Sequence, residues 1–384
     1  MAKIQLLNKI AKVGLDQFSA AYEIGEDVTA ADAILVRSAV MHDMEFDPNL
    51  KAIGRAGAGV NNIPVEKCAD EGIVVFNTPG ANANGVKELT IAALMLASRD
   101  IVGGVQWAND LTENVAKAVE KGKSAFGGCE IQGKTLGVIG LGAIGGMVAN
   151  AAVSLGMHVI GCDPYITIDG AWHLSRSIEK AADYDEIFEK ADYITLHVPA
   201  TPTTKNMICA DSIAKMKDGV RIINLARADL VNAADLKAAL ESGKVASYVT
   251  DFPTEETVGV KGIVAIPHLG ASTEESEDNC AVMAAQEIID FLENGNIKNS
   301  VNYPNIQLPR NAAHRVVILH KNIPNMIAHI TTALAAQNVN IENLVNASKG
   351  DYACTIAETN NDFSDETIAK IASMEGIIRV IRIA

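Results

Sequence analysis

The sequence predicts an α/β protein with two open parallel sheets and a smaller C-terminal module of ferredoxin-like βαββαβ order. Strand-like apolar runs alternate with helical runs through residues 1–98 and again through residues 99–290. A glycine-rich fingerprint stands in the second stretch, and from residue 313 the pattern changes to strand, helix, strand, strand, helix, strand. Alternating strands and helices are typical of parallel sheets whose strands are joined by crossover helices.

The first sheet is predicted to combine two separate segments of the chain. Its strand-like runs are Ile4–Leu7, Ala33–Arg37, Lys51–Arg55 and Ile73–Asn77. A long helical run over residues 274–293, ended by an Asn-Gly pair, is expected to return the chain to this block. The predicted bounds are 1–98 with 291–302 for a substrate-binding domain, 99–290 for a nucleotide-binding domain, 303–312 for a linker and 313–384 for the C-terminal module.

The glycine fingerprint indicates a dinucleotide site. It consists of Gly140, Leu141, Gly142, Ala143, Ile144 and Gly145, between a strand-like and a helix-like run. The first glycine permits a tight turn, the second lets backbone approach a pyrophosphate, and the third lets the helix pack on the strand. The helix N-terminus offers unpaired N–H groups to the phosphates. Asp163, which closes the next strand, would bind the adenosine ribose and repel a 2′-phosphate, so the pattern predicts NAD rather than NADP.

Composition limits the other possible functions. The 384 residues carry a formal net charge of −15 without a basic block, which argues against a nucleic-acid partner. The six cysteines are scattered, which favours buried thiols over disulfides or metal ligands, and no metal site is predicted. The N-terminus shows no signal-peptide pattern, and no apolar run reaches membrane-spanning length. We therefore expect a cytoplasmic protein with no membrane partner.

Three side chains with complementary chemistry follow successive strand-like runs of the second block. Arg227, Glu256 and His268 each stand just beyond a different run, where ligands of open α/β sheets bind. Each alone could be an ordinary surface or loop residue, but together in one nucleotide domain they predict a catalytic group. The later strand-like runs of this block are Tyr193–His197, Arg221–Ala226, Val245–Asp251 and Ile263–Ile266, and the three residues follow the last three of them.

Oxidation of a 2-hydroxy acid needs the groups that these residues offer. His268 would accept the hydroxyl proton, because an unperturbed imidazole has a pKa of about 6.5. Glu256 would stabilise the imidazolium and fix its tautomer. Arg227 would hold the substrate carboxylate in a bidentate, permanently charged pair. The nicotinamide would carry the redox chemistry.

Five separated segments resemble the D-isomer-specific 2-hydroxyacid dehydrogenases, and the resemblance covers essentially the whole chain. The segments are Gly54–Asn62, Asn77–Gly80, Gly133–Gly137, Asn224–Arg227 and Pro267–Thr273. The resemblance implies an NAD-dependent enzyme with Arg227, Glu256 and His268 as its catalytic residues. Beside the fingerprint glycines it implies cofactor contacts at Ala58, Ala143, Ile144, Asp163, Val198, Leu225, Ala226, Asp251, Gly270 and Ala271.

The resemblance is greatest to members of the family that act on D-3-phosphoglycerate at the start of L-serine synthesis. The matching positions that face the substrate are Arg37, Ser38, Arg55 and Gly57. Phosphate needs cationic partners, which makes Arg55 and Arg37 the candidates, although a surface salt bridge is the alternative for Arg37. Two alternative functions are reduction of an unphosphorylated 2-keto acid, such as hydroxypyruvate or glyoxylate, and a nucleotide-sensing corepressor or scaffold on the same fold.

The C-terminal block is similar to an ACT module. His320, Asn322 and Asn340 match the spacing of the residues that hold L-serine in serine-sensing relatives, which implies a serine effector. The alternative is that His320 and Asn322 only end a strand and that the module only dimerises. Asn325 stands where such relatives have glycine. Paired modules and paired domains favour a homodimer or homotetramer.

Overall fold

In a computed structural model, residues 1–336 and 339–383 are described. The predicted C-terminal block is therefore described except at Gln337, Asn338 and Ala384. The chain divides into two compact units: unit 1 is Met1–Asn82 with Glu277–Ala384, and unit 2 is Ala83–Ser276.

The N-terminal part of unit 1 forms a five-stranded parallel sheet with strand order β2-β1-β3-β4-β5. The strands are β1 (Ala2–Leu6), β2 (Tyr22–Gly25), β3 (Ala33–Val36), β4 (Ala52–Arg55) and β5 (Val74–Asn77), with helices α1 (Lys12–Leu15) and α2 (Val65–Asp70). All four residues of β3 are buried, as is usual for a parallel strand covered on both faces.

Unit 2 forms a seven-stranded parallel sheet. Its strands are β6 (Thr135–Ile139), β7 (His158–Cys162), β8 (Ile178–Lys180), β9 (Tyr193–Leu196), β10 (Val220–Asn224), β11 (Val245–Thr250) and β12 (Ile263–Ala265). Its helices are α3 (Ala83–Ser98), α4 (Ile101–Asn109), α5 (Val115–Gly122), α6 (Ala143–Ser154), α7 (Ile168–Trp172), α8 (Tyr184–Lys190), α9 (Ala210–Lys215) and α10 (Ala233–Glu241). The order β12-β11-β10-β9-β6-β7-β8 reverses direction between β9 and β6, where doubly wound sheets bind nucleotides.

Helix α11 (Glu274–Asn294) brings the chain back to the first sheet, as the sequence predicts. Its residues Ala284 and Phe291 are buried in one cluster with Ile4 and Phe76 of that sheet. The predicted domain bounds at residues 98 and 290 differ from the observed division. The difference arises because α3 packs on α6 and β10 of unit 2, while most of α11 packs within unit 1.

The C-terminal module is a four-stranded antiparallel sheet with two helices, in the predicted βαββαβ order. It comprises β13 (His314–Lys321), α12 (Met326–Ala336), β14 (Ile341–Lys349), β15 (Tyr352–Thr359), α13 (Asp365–Ala372) and β16 (Ile377–Ile383), with strand order β14-β15-β13-β16. Alternate residues of β13 pack into two different hydrophobic clusters. Val316 and Ile318 pack with the module's own helices, whereas Val317 and Leu319 join the cluster that contains Phe76.

The module is thus a part of unit 1 rather than a body set apart by a linker. Tyr303 and Ile306, within the predicted linker 303–312, are both buried in the shared cluster. Arg315 of β13 forms a fully buried ion pair with Glu358 of β15. The same guanidinium donates to the Asn294 carbonyl at 2.6 Å, where α11 ends. Apolar packing and this buried network together fix the module in place.

Residues 1–336 and 339–383 include no helix with the length and apolar character needed to span a membrane. Over the same residues, no group of three or more His, Cys, Asp or Glu side chains is arranged to hold a metal ion. The six cysteines are all unpaired, and four of them are buried.

Candidate active site

The three fingerprint glycines have three different local geometries. Gly140 follows β6 with φ +91°, and a Cβ there would lie 2.6 Å from the His197 carbonyl oxygen. Gly142 begins α6, and a Cβ there would meet no described atom within 4 Å, so its backbone is open to a ligand. A Cβ on Gly145 would collide with the Gly140 carbonyl. Gly140 thus makes the tight turn, Gly142 leaves its backbone open to a ligand, and Gly145 allows close packing, as the fingerprint predicts.

Asp163 lies beside this turn. Its Oδ2 accepts a hydrogen bond from the Leu141 N–H at 2.8 Å, and its Oδ1 accepts one from the Tyr165 N–H at 2.8 Å. The carboxylate is therefore tied to the fingerprint at the end of β7, where a ribose would meet it. The other predicted cofactor residues of this unit also follow the carboxyl ends of β6, β9, β10 and β12: Ala143, Ile144, Val198, Leu225, Ala226, Gly270 and Ala271.

Asp251, directly after β11, has a buried acceptor without a partner. Its side chain is 1% exposed, and Oδ2 accepts from the Gly270 N–H at 3.3 Å. Oδ1 is buried with no hydrogen-bond donor among the described residues. Burial raises the pKa of the Asp251 carboxyl, opposed by the charges of His268 and Arg227. A buried acceptor of this kind requires a donor, and the carboxamide N–H of a nicotinamide is a suitable one, so the site fits NAD.

An aromatic side chain that sequence analysis missed joins two of the predicted catalytic residues. The ring of Phe252 packs on the His268 imidazole, with centroids 4.5 Å apart and planes tilted by 45°. The Arg227 guanidinium carbon lies 5.7 Å from the centre of the same ring. Phe252 directly follows Asp251, so the only available sequence signal is an aromatic residue at the end of a predicted strand. Arg227, His268 and Asp251 are thus brought together around Phe252.

Glu256 lies on the same loop but outside this cluster. Among the described residues, neither a hydrogen bond nor an ion pair joins it to His268. It lines a cavity of about 370 Å³ with Lys205, Asn232 and Phe252. The loop turns sharply before Glu256, because the Thr254 N–H donates to the Thr257 hydroxyl and the Thr257 N–H donates to the Thr254 carbonyl. The predicted carboxylate–imidazole contact is therefore absent from this conformation.

In unit 1, two predicted substrate-binding arginines lie on neighbouring strands. Arg37 directly follows β3 and Arg55 ends β4, which pairs with β3. Gly57 has φ +144°, and a Cβ there would collide with the Arg55 guanidinium, so only glycine allows this side-chain position. Burial raises the pKa of the Cys280 thiol, and the charges of Arg55 and Arg37 both oppose that rise. Both arginines therefore act on the same small region, around Cys280.

The loop that carries Arg37 and Ser38 is held by a residue that sequence analysis missed. Asn8 Oδ1 accepts from the N–H groups of Arg37, Ser38 and Ala39 at 2.9–3.0 Å. The Arg37 side chain forms a 2.6 Å ion pair with Glu277 of α11. The surface salt bridge considered for Arg37 is thus present.

Comparison with known proteins identifies the family. A family model for the D-isomer specific 2-hydroxyacid dehydrogenase NAD-binding domain matches residues 91–270. A D-3-phosphoglycerate dehydrogenase of Methanocaldococcus jannaschii is 34% identical over 99% of this chain and 70% of its own length. This chain belongs to the D-isomer specific 2-hydroxyacid dehydrogenase family.

Other members of the family are similar over large parts of the chain. A Bacillus subtilis D-3-phosphoglycerate dehydrogenase is 36% identical over 73% of this chain and 53% of its own length. This chain therefore spans about half the length of some relatives. A solved NAD⁺-bound 3-phosphoglycerate dehydrogenase of Entamoeba histolytica is 28% identical over 78% of this chain and 98% of its own, with a TM-score of 0.59. The protein is accordingly an NAD-dependent 2-hydroxyacid dehydrogenase.

In this dehydrogenase the three candidate effector residues are engaged within the C-terminal module. The buried His320 imidazole contacts the Thr355 hydroxyl at 3.0 Å and Asn346 Oδ1 at 3.3 Å. Asn322 donates to the Gly350 carbonyl at 3.0 Å, and Asn340 donates to a Glu342 carboxylate oxygen at 3.0 Å.

The loop next to His320 also contains Asn325. Asn325 has φ +66°, the left-handed conformation that glycine adopts most easily and asparagine tolerates. Asn325 therefore keeps the left-handed backbone conformation typical of glycine, and it adds a side chain to the loop.

Proposed function

We propose that this dehydrogenase oxidises D-3-phosphoglycerate to 3-phosphohydroxypyruvate with NAD, the first step of L-serine synthesis. The observation that carries the proposal is the pair of arginines, Arg37 and Arg55, at the carboxyl ends of adjacent strands of unit 1. A carboxylate alone needs one cationic partner, and Arg227 of unit 2 is available for it. Two further cations suit the phosphate of a phosphorylated acid. The names of the M. jannaschii and B. subtilis relatives support the same substrate.

In this mechanism NAD, when bound, supplies the hydride acceptor. His268 accepts the proton of the substrate hydroxyl as that hydroxyl is oxidised to a carbonyl. Phe252 restricts the orientation of the imidazole by ring packing, and Arg227 binds the substrate carboxylate. The buried Asp251 Oδ1, which has no donor among the described residues, would accept a hydrogen bond from the carboxamide and so orient the cofactor ring.

Glu256 is retained as the proposed carboxylate partner of His268. A rearrangement of residues 253–257 would be required, since Glu256 lines the cavity beside Lys205 and Asn232 in this conformation. Substrate-linked closure of such loops is common in enzymes that exclude water from a reaction.

The experiment that tests the function compares two substrates of the reverse reaction. The rate of NADH oxidation is measured with 3-phosphohydroxypyruvate and with hydroxypyruvate, which differ only by the phosphate. Charge-assisted hydrogen bonds from two arginines predict a kcat/KM ratio of about 100 in favour of the phosphorylated acid. Equal kcat/KM values would reject phosphoglycerate as substrate. They would favour the unphosphorylated acids, for which the Arg37–Glu277 pair already provides some support.

We also propose that the C-terminal module is an ACT module that binds L-serine. The βαββαβ order and the position of His320 and Asn322 at the end of β13 support this proposal. Serine would have to displace the bond from Asn322 to Gly350. Calorimetry with L-serine, and with D-serine as the control, checks it. An absence of binding would leave the module with a structural role.

A homodimer or homotetramer and a cytoplasmic location stay predictions, which sedimentation velocity and cell fractionation can check.

A further inference from the structure

The ion pair between Arg37 and Glu277 lies where the proposed phosphate contact would form. Arg37 Nη2 and Glu277 Oε1 are 2.6 Å apart, and the two side chains are 42% and 43% exposed. We propose that Glu277 sets the affinity for the phosphorylated substrate, because it holds Arg37 until a substrate phosphate displaces it. This inference rests on the proposed function and names a residue to which the function itself assigns no role.

The backbone positions of both partners are fixed, so the pair is a defined feature of unit 1. The three N–H bonds to Asn8 hold the backbone of residues 37–39. Glu277 is the fourth residue of α11, whose N-terminal end favours negative charge. Ile288, further along the same helix, is fully buried against the sheet. The carboxylate is therefore presented to Arg37 by a rigid helix.

Arg55 is held differently from Arg37. Its guanidinium lies over Gly57, at a position that any side chain at residue 57 would block. The charges of Arg55, Arg37 and Glu277 all act on the Cys280 thiol, the two arginines in one direction and Glu277 in the other. All three charged side chains therefore lie near enough to Cys280 for their charges to act on it. The carboxylate offsets part of the positive charge that would attract an anion.

An exchange of partners follows from these charges. A pair this exposed contributes little to stability, so an incoming anion can separate it. A phosphate monoester carries a charge of about −1.5 to −2 and three strong acceptor oxygens, against −1 for the carboxylate. It can therefore replace Glu277 at Arg37. A 2-keto acid that lacks the phosphate leaves the ion pair between Arg37 and Glu277 intact. Arg37 then contributes nothing to the binding of that acid.

The test is a double-mutant cycle read with two substrates. KM and kcat are measured for wild type, Glu277→Gln, Arg37→Gln and the double variant, with 3-phosphohydroxypyruvate and with hydroxypyruvate. Glu277→Gln is expected to lower KM for the phosphorylated acid by about three- to fivefold, with little change in kcat. KM for hydroxypyruvate should change less than about twofold. In the Arg37→Gln background, the effect of Glu277→Gln should disappear.

Glu275→Gln is the matched control, because it removes the same charge from the same helix two residues earlier. Glu275 is exposed and takes part in no ion pair among the described residues, so this variant should behave as wild type. An equal change in KM for both substrates would overturn the proposal. An effect of Glu277→Gln that persists without Arg37 would also overturn it. A wild-type enzyme that does not prefer the phosphorylated acid would instead overturn the proposed function, so the two failures are distinguishable.

Discussion

Unit 2 and unit 1 are built on different plans. Unit 2 is one continuous stretch of chain around a single doubly wound sheet, and its candidate functional residues follow the strands in sequence order. Unit 1 combines an N-terminal sheet, helix α11 and the C-terminal module around a shared core. The proposed redox chemistry therefore depends on local motifs, whereas the proposed phosphate recognition and the stability of unit 1 depend on contacts between distant parts of the chain.

The largest predicted effect tests the assignment of the chemistry to unit 2. Replacement of His268 by alanine removes the base, so kcat should fall by about 10²–10⁴-fold. NADH binding, followed by its fluorescence, should stay close to wild type because the fingerprint and Asp163 are untouched. Turnover near the wild-type rate would show that His268 is not the base.

The second prediction tests the shared core of unit 1. Glu358→Ala leaves the buried Arg315 without its partner, which should lower the free energy of unfolding by roughly 3–5 kcal/mol. Asp365→Asn is the control, because its ion pair with Arg382 is exposed and should contribute less than about 1 kcal/mol. Denaturant unfolding measures both. Loss of the module alone, with the sheet of β1–β5 unaffected, would show that the two parts are independent.

A pH effect is expected from a second buried carboxyl of unit 1. Burial raises the pKa of Glu287 to about 8, opposed by a hydrogen bond from Asn299. Because the folded-state pKa lies above the unfolded value, Glu287 should reduce stability progressively as the pH rises from about 4.5 to 8, by at most about 1.4 kcal/mol per pH unit.

Glu287→Gln keeps the shape of the side chain and removes its titration. The variant should therefore be more stable than wild type at pH 8, and the difference should shrink towards pH 5. Thermal unfolding followed across this pH range provides the measurement. A constant difference between the two proteins would mean that Glu287 does not titrate in this window.

The smallest predicted effect concerns Glu256 and would sharpen the description of unit 2. A carboxylate beside His268 would orient the imidazole for proton transfer, so Glu256→Gln should lower kcat by about tenfold, much less than the loss of His268 itself. The neighbouring Glu255→Gln provides the matched control. If only the control variant lowers kcat, the catalytic carboxylate is Glu255 rather than Glu256.

Sequence patterns predict the central strands of both parallel sheets and one edge strand of each, but not the other edge. Two strands were missed, β2 (Tyr22–Gly25) and β8 (Ile178–Lys180). Each lies at a sheet edge, is short, and is at least partly exposed. Such strands do not need the apolar runs that mark a buried strand, so periodicity gives no signal for them.

The candidate site was predicted where chemistry follows a strand directly, and less well where a loop decides the orientation. The fingerprint glycines and Asp163 are positioned by β6 and β7, and the three glycines have the local geometries expected of them, while the cofactor contacts stay predictions. Glu256 lies several residues beyond β11, where hydrogen bonds between Thr254 and Thr257 set its direction. The burial of Tyr303 in the core of unit 1 depends on contacts with distant residues, which leave no local pattern.

The most direct test of this division of roles is the kcat/KM ratio of 3-phosphohydroxypyruvate to hydroxypyruvate, measured with NADH in wild type and in Arg37→Gln. We predict a ratio of about 100 in wild type and a fall of about tenfold in the variant, caused by KM rather than by kcat. A wild-type ratio near one, or a ratio that Arg37→Gln leaves unchanged, would contradict the assignment of phosphate recognition to Arg37 of unit 1.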